Sequence, residues 1–423
     1  MKAPNYLVQK LVTYQLNNMN IQNLTGNDDS ELNFVIDIKS EATIKLENVY
    51  VSQIDISKYQ SFFTLESLGS ANISLSNITF DSVSFPTPLL NFGSIANVDM
   101  VDLKFTKVQR QTSNDVSNSM IDLTSIPSLI DRNITVSGIS VEYSSMSLMK
   151  LNNVAQTSTI DQHILITNVS YVHCVLEFKD DLINFGNIVS NDTYMMTIDQ
   201  LEFHNITFIR GGHLISFQHQ TDDALIVNNT NISNITFGSF YVKSFDLTGN
   251  AVDTKIKFDN MHAQSIDGQY ASLIVLEEIA KIEICNSSFS FISNIIGGSV
   301  LQAGYRSAVA DIYDSVFYNN TSTEGGVFIS QSESVIRLHN CTLTNNFAVG
   351  SGVIKAESNG YYEIYNSYIS NNYGLYAAVS EIYSTDIESV ISNSTITSNI
   401  ALTSDYIRNE FLNQGKLEDH KLT

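Results

Sequence analysis

Apolar and polar residues alternate one by one through most of the chain. Ile44-Lys45-Leu46-Glu47-Asn48-Val49-Tyr50-Val51 alternates strictly, with an asparagine at its centre. Ser74-Leu75-Ser76-Asn77-Ile78-Thr79-Phe80, Ile164 to Tyr171 and Leu201 to Phe208 repeat that arrangement. Shorter copies end at Asn228, Asn260 and Asn286. A period of two places one row of side chains on one face, which is the signature of a strand with one buried side, and no run keeps a helical spacing. Counting these runs predicts about fourteen units.

From residue 281 to 400 the pattern tightens into a repeat. Five segments, 288–294, 314–320, 340–346, 366–372 and 393–399, each close on an asparagine: Asn294, Asn320, Asn346, Asn372 and Asn399. The steps between those asparagines are 26, 26, 26 and 27 residues. Pairs of small residues follow the first four segments: Gly297-Gly298, Gly325-Gly326, Ser351-Gly352 and Ala377-Ala378. A fixed period in this range marks units that cannot bury an apolar face alone and must stack.

Three short strands are legible in the clearest unit: Val335 to His339, Cys341 to Thr344 and Gly352 to Ala356. Strands that each pair with their equivalent one unit later make a parallel β-helix, with coils about 4.8 Å apart. The expected architecture is therefore all-β, one β-helix over residues 1–405 of about fourteen three-strand coils, with an irregular tail or cap at 406–423. Phe291, Phe317, Leu343, Ile369 and Ile396 are expected to stack as an inner column. The five closing asparagines are expected to form a corner ladder, since asparagine tolerates left-handed backbone and its amide bonds to its neighbours. Polar inserts at 107–118, 152–162 and 187–193 read as protruding loops, the places where solenoids commonly bind.

The pairing of Phe317-Tyr318-Asn319-Asn320 with Gly325-Gly326-Val327-Phe328-Ile329 resembles the FxxN and GGA(I/L/V) repeats of polymorphic outer membrane proteins. It is also similar to eukaryotic surface proteins that carry such repeats on a pectin-lyase-like β-helix. The likeness covers 281–400 and is diffuse upstream; Leu343 and Ile369 stand where the motif has Phe, and Ala377-Ala378 where it has the Gly pair. The resemblance implies a right-handed solenoid with a cell-surface adhesive or structural role.

Composition narrows the partners. Against 22 basic residues stand 44 acidic ones, a formal charge of −22, so neither nucleic acid nor an anionic membrane is an expected partner. A carbohydrate or protein partner on the solenoid side is the expectation. No apolar run is long enough to span a membrane as a helix, so membrane attachment is expected only through regions outside this chain. Three cysteines at wide spacing, Cys174, Cys285 and Cys341, suggest neither a disulfide framework nor a metal site; the last two read as small buried hydrophobes.

Fifteen N-x-S/T sequons point to an extracellular or cell-surface location: Asn23, Asn72, Asn77, Asn133, Asn168, Asn191, Asn205, Asn228, Asn231, Asn234, Asn286, Asn319, Asn320, Asn340 and Asn393. The start of the chain lacks a signal peptide, so the expectation is a fragment of a longer protein.

The pectin-lyase-like fold also carries lyases and glycosidases, which makes an enzyme acting on an acidic glycan the alternative function. The ordered NTD, DD, GHG and RIK motifs of polygalacturonases are not reproduced. Aligning successive coils brings Asp180 and Asp181 near Gly212 and His213, with Lys243 a coil further, a set able to do acid–base chemistry. The repeated glycines there have a structural explanation, so no catalytic, metal or cofactor residue is assigned and no cofactor is expected. Tyrosines at 361, 362, 365, 368, 373, 376 and 383 crowd the last coils, either inward or as a surface for sugars.

Overall fold

The computed structural model describes residues 12–26, 42–56, 63–85, 88–110, 119–123, 132–152, 161–176, 181–188, 193–219, 224–238, 245–249, 255–268, 272–278, 281–304, 307–383, 389–403, 407–409 and 421–422. The chain forms two compact units, 1–216 and 217–423. It is an all-β parallel solenoid with no helix among the described residues.

In the first unit, Val12–Gly26 pairs in parallel with Ala42–Ile56, which pairs with Phe63–Phe85, then Leu90–Arg110 and Arg132–Glu142. Asp161–Leu176 and Thr193–Phe208 continue the series. Alternation puts the same kind of residue at the same level of every strand. Leu46, Leu75, Met100, Val136, Ile166 and Ile198 are register partners and all buried. So are Val51, Phe80, Phe105, Val141, Tyr171 and Phe203. Each such side chain contributes about 1.5–3 kcal/mol by leaving water.

These runs bend twice rather than once. Asn48, Asn77 and Asn168 have φ of 55°, 52° and 53°, and Gln53, Ser82 and His173, five residues on, have φ of 52°, 55° and 56°. The second unit repeats the device at Asn260 and Ser265, Asn340 and Asn345, and Asn366 and Asn371. Left-handed backbone costs other L-residues more than asparagine, which explains its hold on the first bend. Asn228 was expected at a bend; Asn229 occupies it, and Asn205 sits at a second bend, not a first.

In the second unit, strands 335–339, 342–344 and 354–357 match the three read from sequence, with a two-residue strand Phe347–Ala348 added. Two expectations shift there. The inner column runs Ile232, Ala263, Phe289, Phe317, Leu343, Ile369 and Ile396. Phe291 is not in it; it takes the second bend at φ 56° and is 50% exposed. The ladder consequently begins at Asn320, and the level below it belongs to Ile292, Ile266 and Ile235. Asn294 lies two residues past that level and donates its amide to Gly298 O at 2.7 Å.

The ladder itself is regular. Asn320, Asn346 and Asn372 each use Nδ2 to donate to the Oδ1 of the asparagine one coil on, at 3.1, 2.9 and 2.9 Å. That same Oδ1 also accepts the backbone N–H of the earlier asparagine at 3.0, 2.9 and 2.9 Å. Nδ2 also donates backward, to Phe317 O, Leu343 O and Ile369 O from Asn346, Asn372 and Asn399. All four are buried. Left-handed backbone falls to the residue before, Asn319, Asn345, Asn371 or Ser398, so the paired asparagines divide the work expected of one.

Gly297 takes φ 94°, whereas close approach explains Gly325, Gly326 and Gly352. A Cβ on Gly326 would lie 2.0 Å from Gly352 O, so neighbouring coils leave no room there.

Every alternating run counts as a coil in the sequence, giving about fourteen. Among the described residues the structure has about nine turns, and residues 27–41 and 57–62, between the first alternating runs, lie outside the described residues. Of the expected inserts, residues 111–118, 153–160 and 189–192 lie outside the described residues, while 107–110, 152, 161–162, 187–188 and 193 are strand. Two pieces of the expected tail, Ile407–Asn409 and Lys421–Leu422, pair as strands with Ser380–Tyr383 and Thr395–Thr397.

The adjacent asparagines at 345 and 346 make a direct test. Asn346→Ala strands several buried donors and acceptors, each costing about 1–3 kcal/mol, and is expected to lower the denaturant midpoint strongly. Asn345→Gly keeps the exposed bend and should cost under about 0.5 kcal/mol. Equal losses in chemical denaturation would contradict the division of roles.

Candidate functional site

The coil alignment that placed Asp181 beside His213 is reproduced in the first unit. Leu182 and Ile183 donate backbone N–H groups to His213 O and Leu214 O at 2.8 and 3.1 Å, which fixes the level. Gly211 and Gly212 turn the chain at φ 108° and 130°, a region that favours glycine. Asp181 Oδ1 accepts the His213 backbone N–H at 3.0 Å and lies against His213 Nδ1. Asn184 Nδ2 donates to Asp181 Oδ2 at 2.6 Å. Asp180 and Lys243, the other members of the expected cluster, lie outside the described residues.

Such a carboxylate fixes the imidazole's orientation and favours the proton on Nδ1, leaving Nε2 as an acceptor. The same contacts also tie one coil to the next. Asp181 and His213 side chains are 14% and 16% exposed, so the pair sits just beneath the surface.

In the second unit several outward charged side chains are paired with neighbours in adjacent coils. Arg337 bridges Asp311 and Glu363 at 3.2 and 3.1 Å, and Lys257 binds Glu283 at 3.2 Å. Half-exposed pairs of this sort stabilise by about 0–1 kcal/mol each. Lys355 holds Glu324 and Glu357 at 3.3 and 2.8 Å. Burial opposes its charge, yet Glu357 and then Glu324 outweigh burial and raise its pKa. Tyr313, His339 and Tyr365 stack face to face, with ring centres 4.9 and 5.2 Å apart.

The C-terminal tyrosines divide. Only Tyr362 among the seven is buried in the core, and Tyr368 and Tyr376 are 44% and 41% exposed. Tyr373 stacks on Phe347 and Tyr365 on His339, so one face of each ring is already covered. At the corners, Asn77 donates to Asn48 Oδ1 at 2.6 Å and Asn340 to Asp314 Oδ1 at 2.5 Å. The overlapping sequons at Asn319 and Asn320 separate cleanly, because Asn319 is exposed and Asn320 is fully buried in the ladder.

A polar groove of about 380 Å³ escaped the sequence reading. It crosses three strands of the second unit, Ala224–Phe237, Lys255–Asp267 and Ser288–Ser293. Asn231, His262 and Ser288 stand at one level on successive strands, and Gln264 and Ser290 at another. His262 Nδ1 lies 2.7 Å from Ser288 Oγ. Alternation predicted that these side chains point outward; nothing in the sequence marked where adjacent coils would leave a hollow. Among the described residues, no group of three or more His, Cys, Asp or Glu side chains is placed to hold a metal ion.

Comparison with known proteins finds no match: no family model fits the chain, and no curated protein or solved structure is significantly similar.

The cysteines are free. Cys174 and Cys341 are buried, and burial pushes their thiols up to about 11. Cys285, expected inside, instead points outward and is half-buried, with Sγ 3.4 Å from Glu283 Oε1. Thiol labelling under native conditions should modify Cys285 first, with Cys174 and Cys341 reacting only on unfolding. Their raised pKa values mean the protonated thiols favour the folded state, a contribution complete below the ordinary value of 9.0 and lost as pH climbs toward 11. Mass spectrometry of labelled peptides checks the order.

Proposed function

We propose that the chain is a non-enzymatic structural and adhesive module, cell-surface or secreted, built as a right-handed β-helix of the pectin-lyase-like kind. The observation that carries this reading is the pairing of outward side chains from coil to coil. Ion pairs, aromatic stacks and corner amides link several neighbouring coils within each unit, which suits a rigid scaffold presenting a lateral surface. The FxxN-type segments and the exposed sequons at Asn77, Asn168, Asn286, Asn340 and Asn393 support an extracellular setting. The charge of −22 disfavours acidic glycans as ligands through long-range repulsion. Antibody staining of unpermeabilised source cells should light the surface, or the protein should accumulate in the medium. A signal confined to the cell interior would remove the proposal.

The Asp181–His213 pair favours a second reading, a polysaccharide lyase or hydrolase in which the oriented imidazole moves a proton. Under the adhesive reading, purified protein releases no fragments from polygalacturonate or pectin, as followed by reducing ends. Release that disappears in an Asp181→Ala, His213→Ala double variant with unchanged circular dichroism would establish the enzyme instead.

A further inference from the structure

The geometry points to the groove over Asn231, His262, Gln264, Ser288 and Ser290 as a binding site for a neutral saccharide, an assignment that rests on the adhesive reading. Three observations converge on it. Among the described residues, no group hydrogen-bonds to the side chains of Asn231, Gln264 or Ser290, whereas Lys257, Arg337 and Lys355 of the same unit are taken up by carboxylates. Two amides and two hydroxyls, with an imidazole, offer both donors and acceptors, which is what a ring bearing several hydroxyls requires. No lysine, arginine, aspartate or glutamate lines the groove, so it offers nothing to pair with a carboxylate or phosphate.

The same rows then change character. Register carries Ser288 to Val316 and Ser290 to Tyr318 on the next strand, where Val316 and Tyr318 are 43% and 40% exposed. Phe291, 50% exposed, meets Tyr318 edge to face at 5.6 Å. Edge-to-face packing leaves an aromatic face open, unlike the mutually covered rings of Tyr313, His339 and Tyr365. Polar groups on two or three rungs beside an open aromatic surface form an amphipathic seat. A sugar's hydroxyls would face the amides while its C–H face lies on the ring.

The direct test is binding of the full chain, produced without N-glycans because Asn231 opens a sequon, to an array of neutral oligosaccharides of the gluco, manno, xylo, galacto and N-acetylglucosamine series. Hexagalacturonate serves as the acidic comparison. At least one neutral series should bind, and Gln264→Ala and Tyr318→Ala should each weaken that binding about tenfold or more. Tyr376→Ala, exposed elsewhere on the unit, should leave it unchanged. An empty array, preference for hexagalacturonate, or binding indifferent to Gln264→Ala and Tyr318→Ala would overturn the site. Surface staining decides the adhesive reading independently, so a failed array with a positive stain discards the groove alone.

Discussion

Parallel pairing at one strand spacing is the constraint on which everything else in this molecule depends. A backbone that satisfies its N–H and C=O groups on the coil before and the coil after must place equivalent side chains about 4.8 Å apart, again and again. Inside, that rule is easily met by apolar residues, because dispersion and burial have no direction. A polar residue in such a column has to find its partners on its own copies or on the backbone of neighbouring coils. The Asn320 to Asn399 ladder does so with each amide both donating and accepting. Outside, the same spacing makes like charges repel. The alternation of Asp311, Arg337 and Glu363 along one row answers that pressure.

The sequence disclosed the fold because its period is short and its chemistry repeated. Alternation of Leu46, Leu75 and Met100 with polar residues specifies strands, and the repeat specifies their stacking. What misled was the segment around Phe291. There the apolar residue three before Asn294 imitates Phe317 before Asn320, and only backbone register shows that Phe289 holds the inner place. Phe289 and Phe291 are two residues apart, an offset that would keep the same face along an unbroken strand, and the left-handed bend at Phe291 is what turns its side chain to solvent. The second bend was equally hidden, since Gln53, Ser82 and His173 share no side-chain signal for left-handed backbone.

The site was less legible than the scaffold for a related reason. Asp181 and His213 were found because the repeat predicts which residues fall on the same level. The groove was not, because its residues, Asn231, Gln264 and Ser290, are ordinary outward polar positions in the sequence. What distinguishes them is the hollow that adjacent coils leave over them, a property of neighbours that are distant in the chain.

The inner corner changes composition once, from Ile235, Ile266 and Ile292 to Asn320 and its successors. Hydrogen-bonded asparagines along the Asn320 to Asn399 ladder are separated by 26, 26 and 27 residues, and pairs in the first unit by 30, 29 and 36. An amide contact therefore fixes which two residues stand level, not how much chain runs between them. Gain or loss of a whole coil preserves every such contact, and so does a small insertion that falls in a connection rather than in a strand. Lineages can lengthen those connections and try a new surface while the ladder keeps its register.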